Sequence, residues 1–457
     1  MKQYDAIIIG FGKGGQALAI ELSKRRWQTA IIERPEEMYG GSCSNIACVP
    51  TKTLLYESEI AAMLYHNNID KQSRMYSQAI ARKNKLVSFL RDSNYDKLKK
   101  LSNITIYTGK ASFISENKIK VALPHEEIEL QGKEFFINTG AIPFIPSIEG
   151  IKQSKNVYTS TTLLKLTILP KHLIIIGGGY IGLEFATLYA GFGAKVTLLE
   201  TSNKFMPEAD SDIAASVKEV IEKKGIDIRL NVQPQTIHDT NDGVTLTYSD
   251  HSDKMPYFVD GDAILIATGR KPMIENLNLQ AAGIKVDAHG AIAVDERLHT
   301  NVPHVWAMGD VKGGAQFTYV SLDDFRIIRD QLFGDKKRNT NDRNPLPHTV
   351  FIDPPLAHIG ITEEEALKKG YTFKVTRLAA TSIVRSRTLQ QPDGMLKAII
   401  NPQNGKIMGC TLFCTDAPEL INIVALTMKA GQPYTFLRDF MFTHPSMSEG
   451  LNQLFDI

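Results

Sequence analysis

Two stretches of this chain carry the same order of apolar and polar positions. Ala6-Ile7-Ile8-Ile9 is an unbroken apolar run, the pattern of a parallel strand buried on both faces. It passes into Gly10-Phe11-Gly12-Lys13-Gly14-Gly15 and then into Gln16-Ala17-Leu18-Ala19-Ile20, which has helical spacing. A second predicted strand, Thr29-Ala30-Ile31-Ile32, ends at Glu33. The order then returns: Leu173-Ile174-Ile175-Ile176 as strand, Gly177, Gly179 and Gly182 as turn, 183–191 as helix, and Val196-Thr197-Leu198-Leu199 as a strand ending at Glu200. Each half closes on a strand that breaks at Thr-Gly, first at Thr139-Gly140 and then at Thr268-Gly269.

Between and after these halves the periodicity changes. Residues 54–101 read as helical with mixed charge, and Arg82, Lys83, Lys85, Arg91, Lys97, Lys99 and Lys100 are expected on a solvated face. Short alternating runs over 104–137 predict a small antiparallel sheet. Val305-Trp306-Ala307-Met308 is a short strand closing on Gly309-Asp310. From Pro345 a proline-rich entry leads to alternating strands, a helix over 417–431 and the string His444-Pro445-Ser446-Met447-Ser448-Glu449, the outline of a separate α+β domain.

The glycine patterns are where chemistry enters. GxGxxG between a strand and a helix permits a tight turn and close backbone approach, and the helix N-terminus presents free N–H groups to a pyrophosphate. Gly10, Gly12 and Gly15 form one such cradle and Gly177, Gly179 and Gly182 a second, with Glu33 and Glu200 placed to accept from a ribose. One dinucleotide does not need two cradles, so two are expected, a resident carrier and an exchangeable donor. An acid at Glu200 suits a free 2′-hydroxyl and repels a 2′-phosphate, and Thr201, Ser202 and Asn203 offer no arginine, although Lys204 is close. NADH is therefore favoured over NADPH.

Composition narrows the class. At 457 residues, 43% apolar and 22% charged, the chain reads as a soluble globular protein of about three domains. A formal charge of +2 gives no electrostatic reason for nucleic acid or membrane as partner. No apolar run approaches a membrane span or a signal h-region, which points to the cytoplasm. Four cysteines in such a compartment do not make a structural disulfide framework. Cys43 and Cys48 sit in the segment 40–52, GGSCSNIACVPTK. On an ideal helix such positions are about 7.5 Å apart along the axis, so the pair can close only where the backbone leaves the helix. Cys410 and Cys414, four apart on a predicted strand, lie about 13 Å from one another and read as core residues. No metal site is expected.

With these residues assembled, the chain resembles the FAD-dependent pyridine nucleotide–disulfide oxidoreductases along its whole length. The active-site string GGTCxNxGCxPxK is matched by Gly40, Gly41, Cys43, Asn45, Cys48, Pro50 and Lys52, with Ser42 and Ala47 as small departures. Gly309 and Asp310 match the motif at the flavin ribityl chain, and His444, Pro445, Ser448 and Glu449 match the C-terminal HPxxSE. Within the family the stretches IIGFGKGG, MYGGSC and AMGDVKGGAQFTYVSLDD resemble the reactive-chlorine-resistance flavoproteins, also described as copper(II) or hypothiocyanous acid reductases. Residues 451–457 hold no cysteine pair of the mercuric-reductase kind, and the chain keeps His444.

The resemblance implies an α/β fold with an FAD-binding domain over 1–147 and 269–343, a nicotinamide-binding domain over 148–268, and a C-terminal α+β dimerisation domain over 344–457. It implies that Gly10, Gly12, Gly15, Glu33, Gly41, Ser42, Lys52, Thr139, Gly140, Gly309 and Asp310 hold FAD, and that Gly177, Gly179, Tyr180, Gly182, Glu200 and Gly269 hold NAD(P)H. Tyr180 becomes an aromatic gate and Lys52–Glu184 an ion pair near the flavin. Electrons pass from nicotinamide through FAD to a Cys43–Cys48 disulfide, where Cys43 attacks the oxidant and Cys48 resolves the adduct. His444 and Glu449 form an acid–base dyad serving the partner subunit of a homodimer. Hypothiocyanous acid is the expected oxidant. Cu(II) or Hg(II), glutathione or lipoamide disulfides, and a non-catalytic redox-sensing subunit are the alternatives.

Overall fold

The computed structural model describes residues 1–65, 68–253 and 255–457; positions 66 and 67 of the expected helical region lie outside the described residues. The chain divides into two compact units. The first comprises Met1–Thr53, Ala79–Phe144 and Gly269–Asp342, the second Leu54–Gln78, Ile145–Thr268 and Arg343–Ile457.

The first unit is built on one seven-stranded sheet. Strands β1 (Lys2–Ile9), β2 (Thr29–Glu33) and β3 (Ile104–Thr108) run parallel, with Ile8 opposite Ile31 and Ile31 opposite Ile106. The isoleucine run is continuous because both faces are covered. Ile7 and Ile9 enter the core with Phe135 and Ile137 on one side. Ala6 and Ile8 enter the other with Phe136, Trp306 and Leu18, Ala19 and Leu22 of helix α1 (Lys13–Lys24).

The small antiparallel sheet expected over 104–137 is not a separate sheet. β3 joins the parallel edge, while β4 (Lys110–Ser115), β5 (Lys118–Ala122) and β6 (Glu127–Ile137) extend the same sheet on its other side. β6 explains how: its eleven residues pair antiparallel with β5 near their start and parallel with Val305–Ala307 at their end, while β1 runs along the opposite edge. An alternating pattern reports a half-buried strand, not its partner.

The second unit repeats the plan. Its parallel sheet has the order Ile226–Arg229, Lys195–Leu199, His172–Ile176, Ala263–Ile266, Val157–Thr159. Ile174, Ile176, Ile264 and Ile266 pack there against Val244, Leu246 and Val259 of a three-stranded antiparallel sheet. Residues after Arg343 form an antiparallel five-stranded sheet, in the order His348–Val350, Leu356–Gly360, Ile407–Phe413, Met395–Ile400, Lys374–Ala379, whose core includes Leu420, Ile421 and Val424 of the helix Ala417–Lys429. Among the described residues, no helix is long and apolar enough to cross a membrane.

One buried ion cluster stands out in this unit. Lys397, 1% exposed, places its ammonium 2.9 Å from Asp210, 2.8 Å from Asp212 and 2.7 Å from Glu363. Three donors meet three carboxylates; Arg377, 2.6 Å from both Asp212 and Glu363, shares two of them from the exposed side, so removing Lys397 leaves the buried Asp210 carboxylate without its cation. Lys397→Ala is expected to lose about 3–5 kcal/mol of stability, the usual cost of breaking a buried pair from one side. Urea unfolding monitored by circular dichroism measures it, and an unchanged midpoint would refute it.

Candidate functional site

The cysteine segment starts with two left-handed glycines, Gly40 at φ 102° and Gly41 at φ 73°. A Cβ on Gly41 would sit 2.7 Å from the Gly12 Cα, so only glycine lets this segment lie against the first nucleotide turn. A short helix α2 (Gly41–Asn45) follows and carries Ser42 and Cys43. The backbone leaves the helix at Ile46 (φ −141°, ψ 8°), and helix α3 (Cys48–Tyr65) begins at Cys48. The expected departure from helix thus falls between the two cysteines. Pro50 stands in the first turn of α3, where a missing N–H breaks no helical bond.

The Cys43 and Cys48 side chains lie within hydrogen-bond reach of one another. That bond, together with burial and the Cys48 charge, holds the Cys43 proton well above the ordinary thiol range, against Thr318 and Lys13. The Cys48 sulfur lies 3.6 Å from Thr318 Oγ1, at the start of the helix Thr318–Phe333. Asn45 holds the segment's shape: its amide donates to the carbonyls of Tyr39 and Gly41 at 2.9 Å, and its oxygen accepts from Arg91 at 3.0 Å.

That contact corrects one expectation. Arg91, on helix α4 (Ile69–Lys99), is a part-buried strut of the cysteine segment rather than a solvated charge, and Lys83 of the same helix is buried. A charged residue on a helix carries no sequence mark of the side chain it will meet. Thr318 and Arg270 were missed for the same reason. Burial pulls the Arg270 guanidinium down, opposed by the charges of Asp310 and then Cys48.

The first nucleotide turn is closed by Asn138. Gly10 has φ 109° and a Cβ there would lie 2.2 Å from the Asn138 carbonyl. The Asn138 side chain accepts from Gly15 N at 3.0 Å and donates to the Met308 carbonyl at 2.8 Å, tying the glycine turn to the strand before Gly309. Gly12 caps α1. Glu33 accepts from Phe11 N and Arg34 N, each at 2.7 Å, and burial still pushes its carboxyl up to about 7. A cleft lined by Gly10, Glu33, Arg34 and Thr139 opens beside it. Thr139 donates to the Met273 carbonyl at 2.7 Å and Gly140 follows at φ 76°. Burial raises the Asp310 carboxyl, offset by Arg270 and Lys312, while Gly309 N donates to Asp324 at 2.8 Å. A turn without room for Cβ atoms beside an acid at a strand end fits a dinucleotide.

The second unit reproduces this device. Glu200 accepts from Gly178 N at 2.7 Å and Ser202 N at 2.8 Å, as Glu33 does from Phe11 and Arg34. Gly177 (φ 108°) makes the turn, Gly179 caps the helix Tyr180–Gly191, and Gly182 lies buried in it. A cavity of about 440 Å³ opens there, lined by Gly179, Tyr180, Glu200, Asp210, His348 and His358 among others. Glu208 and Glu365 add to its acidic lining; among the described residues no Lys or Arg lines it. Its size and turn fit a nicotinamide dinucleotide. Gly269, at φ 113°, begins the last segment of the first unit.

Lys52 lies on α3 four residues after Cys48 and belongs to the first unit. Glu184 belongs to the second, where it is buried and accepts from Phe351 N at 3.0 Å. His444 Nδ1 meets Glu449 Oε1 at 2.8 Å. Glu449 also accepts from Ser446 N at 2.9 Å, and that bond and then His444 hold its carboxyl below the usual range. Since a carboxylate only accepts, Nδ1 donates to it. Cys410 and Cys414 are fully buried, and burial pushes both thiols up, Cys414 to about 12, which suits inert core residues.

Comparison with known proteins agrees with this geometry. Residues 4–324 match the family model of the pyridine nucleotide-disulphide oxidoreductases, and 346–455 match its dimerisation domain. The chain is 46% identical over its full length, and over that of the relative, to the probable pyridine nucleotide-disulfide oxidoreductase RclA of Escherichia coli K12. It is 31% identical to a mercuric reductase of Lysinibacillus sphaericus, covering 98% of this chain and 81% of that one. A solved structure, the Cu(II) complex of the HOCl-induced flavoprotein disulfide reductase RclA from E. coli, superposes with a TM-score of 0.94 at 45% identity, covering 100% of this chain and 99% of that one. With two nucleotide turns, a cysteine pair and a dimerisation domain in one chain, this protein belongs to the pyridine nucleotide-disulphide oxidoreductases, FAD-binding enzymes that use NAD(P)H.

Proposed function

We propose that this enzyme reduces a small oxidant at Cys43–Cys48, hypothiocyanous acid first, with NADH as donor, in defence against reactive halogen species. The observation that carries the reading is the helix break at Ile46, which brings Cys43 and Cys48 into contact on a segment packed against the first nucleotide turn. In this reading FAD is held by 1–147 and 269–343, the nicotinamide dinucleotide by 148–268, and residues 344–457 form the dimer.

Cys43, once deprotonated, attacks the electrophilic sulfur of hypothiocyanous acid. A sulfur–sulfur bond forms to the thiocyanate group, and hydroxide leaves and takes a proton to become water. Cys48 then attacks Cys43 sulfur, thiocyanate departs and the disulfide forms. When bound, the two nucleotides supply the electron pair that reopens this disulfide. His444, oriented by Glu449 and contributed by the partner subunit, takes the Cys43 proton and returns one to the leaving oxygen. Lys52 is assigned, by the family resemblance, to the flavin's reactive edge, and Glu184 to the same role. The carboxylates of Glu200, Glu208 and Glu365 around the second cavity disfavour a 2′-phosphate, which supports NADH.

A second reading, Cu(II) reduction, draws on the Cu(II) complex of the E. coli relative. The two are separated by following NADH oxidation by the FAD-loaded protein with hypothiocyanous acid, Cu(II), Hg(II), glutathione disulfide and lipoamide in turn. Fast turnover with hypothiocyanous acid is expected, and turnover only with glutathione disulfide or lipoamide would sink the proposal.

Glu33 adds a pH dependence. Its half-buried setting pushes the carboxyl up to about 7. Ribose hydroxyls donate to the ionised form, so FAD binding drives the proton off. The apoprotein's affinity for FAD is therefore expected to rise with pH through about 7, with proton release on binding. Calorimetric titration in buffers of different ionisation enthalpy reads that release directly; uptake of a proton instead would contradict it.

A further inference from the structure

The second cavity holds a contact that the reaction itself does not require. Tyr180, the first residue of the helix Tyr180–Gly191, lies with its ring 5.7 Å from that of His348 at an interplanar angle of 17°, and its hydroxyl is 3.0 Å from His348 Nε2. Both side chains line the cavity. His348 is itself backed by His358, its partner across the antiparallel pair His348–Val350 and Leu356–Gly360, with ring centroids 5.4 Å apart.

His358 is fixed from both ends. Its Nε2 is 3.1 Å from the Gly360 carbonyl, which can only accept, so that nitrogen carries the proton. Burial pushes His358 down, which leaves Nδ1 without a proton, so that it accepts from the Thr411 hydroxyl at 2.8 Å. The ring behind His348 is therefore a neutral imidazole in one tautomer, anchored to two strands of the C-terminal sheet. His348 is held neutral too, since burial and then His358 push it down to about 4, while burial raises the Tyr180 phenol. A neutral hydroxyl bonded to a neutral imidazole persists across the ordinary working range of pH.

We propose that His348 is a latch on Tyr180: by stacking on the ring and bonding its hydroxyl it holds the closed position, and a nicotinamide ring must break this contact to enter. This rests on the reading of Tyr180 as the gate over the nicotinamide position. His348 is thus a positioning residue that sets the affinity for the nicotinamide end of the dinucleotide and leaves the adenosine end untouched.

The test compares two probes on the FAD-loaded protein by calorimetry: NAD⁺, which carries the nicotinamide ring, and ADP-ribose, which lacks it. Tyr180→Phe removes only the hydroxyl, His348→Phe keeps a stacking ring without the bond, and His348→Ala removes both. Tyr180→Phe and His348→Phe are each expected to tighten NAD⁺ by about fivefold, the worth of one neutral hydrogen bond, and His348→Ala by more than that, with ADP-ribose unchanged in all three. Tyr180→Phe combined with His348→Phe should tighten no further than either alone, because they remove the same bond. A crystal structure of His348→Ala should show the Tyr180 ring turned from its closed position. Equal shifts for NAD⁺ and ADP-ribose, or no shift in Tyr180→Phe, would overturn the latch even if the His348 variants failed to fold. Absence of NAD⁺ binding by the unaltered protein would overturn the nicotinamide reading of the cavity and the latch with it.

Discussion

Replacing Cys43 by serine is expected to lower oxidant-dependent NADH turnover by at least about 10³-fold, because a serine hydroxyl can neither attack an electrophilic sulfur at neutral pH nor form a disulfide with Cys48. The fold should be unaffected. Serine is nearly isosteric, the site is only part-buried, and the supports from Asn45 and Arg91 do not involve the sulfur. The variant should therefore bind FAD with the same stoichiometry, and NADH should still bleach the flavin in an anaerobic cuvette. Cys48→Ser should behave differently. With the attacking thiol kept and the resolving one lost, it should react once with hypothiocyanous acid and stop, leaving a thiocyanate adduct on Cys43 that mass spectrometry detects. If Cys43→Ser kept its full rate, electrons would be reaching the oxidant from the flavin and the cysteine pair would be a bystander.

Mixing subunits tests the other half of the site. His444→Ala alone should lower turnover by about 10²-fold, the usual contribution of a positioned acid–base group. A base is needed because the contact with Cys48 and burial keep the Cys43 proton in place. Glu449→Gln should lose less, since the amide can still orient the imidazole but no longer supports its protonated form. The decisive sample is a mixture of Cys43→Ser and His444→Ala chains, each nearly inactive alone. If His444 serves the partner's cysteine pair, each mixed dimer regains one intact site, and random exchange should restore about a quarter of wild-type activity. If it serves its own chain, every site stays defective and activity remains at the level of the separate variants. Subunit exchange followed by native mass spectrometry gives the fraction of mixed dimers, so a low rate cannot be mistaken for failed mixing.

The parts of this protein that were legible in its sequence share a physical property. Each depends on residues close together along the chain. Four buried isoleucine- and alanine-rich positions, a glycine that must take φ near 110°, and an acid at the end of the next strand specify a nucleotide turn through local sterics, and both copies could be read. The break between Cys43 and Cys48 was legible for the same reason, since a helix through Ile46 would hold the sulfurs apart. Cys410 and Cys414, which read as core residues, are both buried, Cys410 in the strand Ile407–Phe413 and Cys414 just past its end.

What tertiary structure decided are the meetings of distant residues. The run over 104–137 showed its strands, but not that β3 and β6 would enlist in the parallel sheet, because backbone hydrogen bonding leaves no mark on side-chain period. Arg91 read as a solvated charge until Asn45 was found beside it, 46 positions away. Thr318 reaches Cys48 across 270 positions, Asn138 reaches Met308 across 170, and His348 reaches Tyr180 across 168. No local preference encodes such pairs, since a threonine, an asparagine or a histidine is equally at home in many environments. By itself the sequence determined two nucleotide turns, a dithiol that can close, and the strand and helix order that carries them. The packing of those elements decided which side chains brace the dithiol and which one meets the Tyr180 ring in the lining of the second cavity.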